Sequence, residues 1–107
     1  MTIKEVIIHQ KDIEGWTERK KLPLPLKQME RVLAHIDQRV DEALPENAIF
    51  VHDSPNTHEF KSLAEQVGQG NTARVMGARA LYCVATAINL LEDGGIETVY
   101  DSKGILP

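Results

Sequence analysis

The chain lacks most of what would make its class obvious. It has one cysteine, Cys83, so no disulfide can form within it. It has no basic excess: 12 Lys and Arg against 16 Asp and Glu leave a net charge of -4, which argues against a nucleic-acid binder. No stretch is apolar enough to span a membrane, because Arg74, Arg79 and Asn89 interrupt the longest candidate, residues 71–91. The start, Met1-Thr2-Ile3-Lys4-Glu5, is not followed by the apolar region of a secretory signal, so the expected compartment is the cytoplasm. Repeats and low-complexity segments are missing. So are compact motifs: no P-loop lysine, no glycine elbow at Ser54 or Ser62, and no metal-ligand spacing. No cofactor is expected.

What is present is an ordinary folded composition, 42% apolar and 26% charged. At 107 residues a single domain, 1–107, with one modest core is expected. Charge is uneven. Residues 1–31 carry seven Lys/Arg against five Asp/Glu, a local +2, and residues 32–107 carry five against eleven, a local -6. The basic part peaks at Arg19-Lys20-Lys21, close to Trp16. That group suits stacking on a base or touching a phosphate, and equally a solvated loop.

Ile3 to His9 reads as a strand. Its unbroken Val6-Ile7-Ile8 suits cover on both faces. Residues 10–24 have no clear period and predict a loop, long enough to be functional or mobile. Pro25 to Leu44 predicts a helix, with Leu26, Met29, Val32, Leu33, Ile36, Val40 and Leu44 on one stripe. Arg31, His35 and Arg39 fall opposite, toward water. Ala48 to His52 is a second strand. Thr57 suits the N-cap of a short helix from His58 to Val67, and Gly68 its end. A long helix, Asn71 to Leu91, follows and stops at Gly94-Gly95. Ile96 to Tyr100 alternates as a strand, Asp101-Ser102-Lys103-Gly104 reads as a β-turn, and Ile105-Leu106 as a short return strand. The order β-α-β-α-α-β predicts an α/β fold. It has a small three- or four-stranded, mostly parallel sheet and three helices, the last long and apolar.

That last helix is the most telling element. Ala73, Gly77, Ala80, Val84, Ala87 and Leu91 form a side of mostly small residues that a second backbone can approach. Arg79, Tyr82, Thr86 and Asn89 form a polar stripe opposite. So apolar a helix in so short a chain suits the domain centre, a ligand cavity or a seam with a second copy. A buried Arg79 needs a carboxylate or an anionic ligand beside it.

Two places can carry chemistry. The turn Gly68-Gln69-Gly70-Asn71-Thr72 with Arg74 can cradle an anion at a helix start, or can be a plain connection. In open parallel sheets ligands bind beyond the carboxyl ends of strands, read here as His9-Gln10, His52-Asp53 and Tyr100-Asp101. His52, Asp53 and His58 near that edge suit acid–base work. Cys83 reads as a buried mid-helix thiol.

These features point to a small non-enzymatic binding or regulatory protein. It is expected to form a homo-oligomer through the 71–91 helix. Its partner is another protein or a small anionic ligand, a nucleotide included. The expected ligand-binding residues are Gly70, Asn71, Thr72, Arg74, Arg79, Tyr82, Thr86 and Asn89. The alternative is a small hydrolase-type enzyme using His52, Asp53 and His58. A third reading is a regulator whose 10–24 loop docks on a target.

Overall fold

The computed structural model describes residues 2–19 and 24–107. Lys20 and Lys21, two of the three residues in the basic run, lie outside the described residues, as do Leu22 and Pro23 of the expected 10–24 loop.

Four strands form one sheet: β1 (Ile3–Ile8), β2 (Ala48–Val51), β3 (Thr72–Ala78) and β4 (Glu97–Leu106). Their order is β2-β1-β3-β4, and all three pairings are parallel. Val6 and Ile8 point to one face of β1 and Ile7 to the other, and all three are fully buried. Helices therefore cover both faces. On one, α1 (Gln10–Arg19) and α2 (Leu26–Glu42) bring Ile13, Met29, Val32 and Ile36 against Ile7, Met76 and Leu106. On the other, α3 (His58–Lys61), α4 (Leu63–Val67) and α5 (Ala85–Asp93) bring Phe60, Leu63, Val67, Ala87 and Leu91 against Val6, Ile8, Val51 and Val75. At about 25 cal/mol per Å² of buried apolar surface, these two cores are the main stabilising force. Among the described residues, no helix is long and apolar enough to cross a membrane.

The α/β class, the parallel sheet and α2 agree with expectation. Four other elements differ. The expected 71–91 helix does not exist as one element. Thr72–Ala78 is β3, the central partner of β1 and β4, and Ala80–Val84 is a π-helical turn leading into α5. A strand covered on both faces shows no alternation, and a run of Ala, Arg, Val and Met then reads as helix. Gly77 lets the end of this strand lie against β1. Its φ is +121°, and a Cβ there would sit 2.0 Å from the Ile8 carbonyl oxygen, so β1 and β3 approach too closely for any side chain.

The small-residue side expected to seam two copies is consumed by this packing. Ala73, Val84, Ala87 and Leu91 lie in the chain's own core. Residues 10–19 are helical: Asp12 suits the first turn, Ile13 packs into the core, and half-buried Trp16 follows one turn later. Gly15 in mid-helix masks the pattern. The 58–67 helix is split at Ser62 into α3 and α4, so the described residues hold five α-helices where three were expected. Finally, 101–104 is no reversing turn. β4 bulges there and continues in the same direction, moving from the pair Val75–Tyr100 to the pair Gly77–Ile105.

Candidate functional site

The strand order fixes where a cleft must open. From β1 the chain crosses to β2 over the α1/α2 face. From β3 it crosses to β4 over the other face, through α5. The two connections diverge, leaving a crevice beyond the carboxyl ends of β1 and β3, where open α/β sheets bind ligands. A cavity of about 240 Å³ lies there, lined by His9, Asp12, Trp16, Ala78, Arg79, Tyr82 and Cys83.

Each wall has a local cause. His9 follows β1 with φ +58°, a left-handed conformation that histidine adopts more readily than most side chains. Its N–H donates to the Val51 carbonyl at 2.8 Å, and its own carbonyl accepts from Asp12 N–H at 3.1 Å, starting α1. That helix sets Asp12 and Trp16 on one wall. The Ala78–Arg79 peptide is cis. The Arg79 carbonyl then accepts from the N–H groups of Tyr82 and Val84, forming the π-helical turn that carries Tyr82 and Cys83 on the opposite wall. Such turns often occur at functional sites.

The electrostatics are mixed. His9 Nδ1 is buried without a hydrogen bond, 3.8 Å from Asp12 Oδ2, beyond hydrogen-bonding reach. Burial, reinforced by the Asp12 charge, pushes the Cys83 thiol above its ordinary value. A thiol held protonated is a poor nucleophile. Arg79 makes no ion pair or side-chain hydrogen bond among the described residues, so its guanidinium is available to a ligand.

The expected ligand set is divided by the fold. Arg79 and Tyr82 line this cavity. Gly70, Asn71 and Thr72 lie at the opposite, amino end of β3, where Asn71 accepts from Thr2 N–H and donates to the Val67 carbonyl. The glycine turn therefore joins α4 to a strand and precedes no helix. Arg74 pairs with Glu5 on β1 at 3.0 Å. Five residues before Arg79, in β3, it is outside the cavity lining. Half-buried Thr86 and exposed Asn89, on α5, are outside the cavity lining.

His52, Asp53 and His58 are exposed beyond edge strand β2 and also lie outside it. The His52 ring stacks on Phe50, and a hydrogen bond with Asp53 holds the Glu59 carboxyl above its ordinary value. No cluster of three or more His, Cys, Asp or Glu able to hold a metal occurs among the described residues. Sequence reasoning missed Asp12 and Cys83 as cavity residues because α1 read as loop and Cys83 as mid-helix. Gly77, costly inside a helix, was the signal that could have moved the element boundary.

Compared with protein-family models, curated proteins and solved structures, the chain shows no match.

Proposed function

We propose that this protein is a binding protein that takes a small anionic ligand in the cavity between the carboxyl ends of β1 and β3. Arg79 carries the reading: it is a cation without a protein partner among the described residues, set in a cleft with Trp16 and Tyr82. The guanidinium would fork onto a carboxylate or phosphate, and the rings would cover the ligand's apolar body. Size narrows the ligand. About 240 Å³ falls below the ~300 Å³ typical of drug-sized ligands, which favours a small anion.

Binding is favoured over catalysis because burial and the Asp12 charge raise the Cys83 thiol, which makes it a weaker nucleophile. The hydrolase-type alternative has less support, since His52, Asp53 and His58 are exposed to water. Self-association is retained with a changed surface: Leu81 and its neighbour Tyr82, 84% and 68% exposed, replace the helix seam.

Trp16 is the only tryptophan, so its fluorescence reports on this cavity. Titration with small carboxylates and phosphate esters should change it saturably, and Arg79→Gln should abolish the change. No response to any of them, or an unaltered response in Arg79→Gln, would sink the reading.

A further inference from the structure

The bulge in β4 builds a second cluster of charges, away from the β1–β3 crevice. Between the pairs Val75–Tyr100 and Gly77–Ile105, β4 spends five residues where β3 spends two. The excess turns Asp101 inward, where its carboxylate accepts from His35 Nε2 at 2.9 Å and Arg39 Nε at 3.3 Å, both on α2. Gly104 lets the bulge sit this close: a Cβ there would fall 2.7 Å from Met76 Cγ and 3.1 Å from the His35 ring. Two neighbouring strand residues, Glu5 and Arg74, pair below. A cavity of about 330 Å³ opens between these groups, lined by Arg39, Arg74, Ser102 and Lys103 together with His35 and Asp101.

The cations there are not saturated. A guanidinium has five N–H donors, and the described contacts use one on Arg39 and one on Arg74. Each is held by one carboxylate, which orients the guanidinium and leaves donors over. Lys103 is exposed and has no ion pair among the described residues. Three cations thus face two carboxylates, in a chain whose net charge is -4. One of those carboxylates, Glu5, is also pushed toward its neutral form by burial. Bulges commonly re-aim side chains beside binding sites, and this one presents Ser102 and Lys103 at the rim.

We propose that the β4 bulge and α2 form an oxyanion-binding site in which Arg39, Arg74 and Lys103, with the Ser102 hydroxyl, hold a phosphate-type group. It is independent of the Arg79 cavity. The space, about 330 Å³, is ample for such a group.

The test is a titration of the full chain with inorganic phosphate, against potassium chloride at matched ionic strength, followed by amide chemical shifts. Saturable shifts are expected at Ser102, Lys103 and His35 with phosphate alone. Lys103→Gln, an exposed change that leaves folding intact, should weaken binding about threefold or more. Arg74→Gln should weaken it further, and Arg79→Gln should leave it unchanged. Phosphoserine run in parallel separates the sources of the anion. Tighter binding than phosphate supports the site as one for organic phosphates, and equal binding supports it as one for the free ion. Equal shifts with chloride, or an affinity unmoved by both Lys103→Gln and Arg74→Gln, would overturn the proposal.

Discussion

The carboxylate of Asp101 lies 2.9 Å from Nε2 of His35, joining the bulge of β4 to the middle of α2 across 66 residues of chain. Asp101 is only 10% exposed, and burial alone would raise its pKa. The hydrogen bonds and charges of His35 and Arg39 outweigh burial and hold it below the ordinary range. A depressed carboxyl stabilises the fold above its unfolded value of about 3.9, and that contribution disappears as pH falls through the folded value. Asp101→Asn should therefore cost about 1–3 kcal/mol at pH 7 and progressively less as pH falls through the folded value. Urea midpoints across an acid pH series measure this.

Glu5, in the same charged layer, should behave with the opposite sign. Its side chain is 6% exposed, Oε2 has no hydrogen-bond partner, and burial outweighs the attraction of Arg74 and Arg39, raising its pKa. The folded state then binds more protons than the unfolded one between the ordinary value and the raised one. Stability falls as pH rises through that window. Glu5→Gln, which can still accept from Arg74, should flatten that slope and change stability at pH 7 by less than about 1 kcal/mol. A variant that kept the wild-type slope would assign the pH dependence elsewhere.

Gly77 and Gly70 both have positive φ, but only one is crowded. A Cβ on Gly77 meets the Ile8 carbonyl oxygen at 2.0 Å, whereas one on Gly70 meets nothing within 4 Å. Gly70→Ala should cost about 1–2 kcal/mol, the strain of a left-handed backbone. Gly77→Ala adds a collision between paired strands and should cost more than about 3 kcal/mol. Thermal or urea unfolding of the two variants side by side gives the comparison.

That glycine also marks where the sequence was legible and where it was not. β1, α2 and the parallel sheet could be read because their signals are strong: an unbroken β-branched run, a seven-residue stripe and alternating element types. β3 could not, because burial on both faces removes alternation, and Ala, Arg and Met are good helix formers. From that one boundary the rest follows. The Gly68–Thr72 turn was read as a helix start, Cys83 as mid-helix, and Arg79 as part of a helix stripe when it follows a strand. His35 and Arg39 were expected in water because their partner, Asp101, is positioned by a bulge that no local pattern announces.

Leu81, next to Tyr82 of the cavity lining, is 84% exposed, and a charge there tests self-association without touching the core. Leu81→Asp should leave the unfolding midpoint within the range of a surface change, about 0.5 kcal/mol. If copies associate through this rim, the same variant sediments as a monomer at concentrations where the parent does not. Identical sedimentation of the two would remove the rim from consideration.

Cys83 offers the most direct reading of the cavity's electrostatics. Its thiol is raised first by burial and then by the Asp12 charge across the cleft. The thiolate is the species that reacts, so iodoacetamide should label Cys83 more slowly at pH 7 than an unperturbed thiol of pKa about 8.5. Asp12→Asn removes one of the two causes and should speed labelling, because the thiol then ionises at lower pH. An anion seated on Arg79 should slow labelling, by covering the sulfur. Unchanged rates in Asp12→Asn would mean that burial alone sets the thiol, and that Asp12 stays in solvent outside the cavity's field.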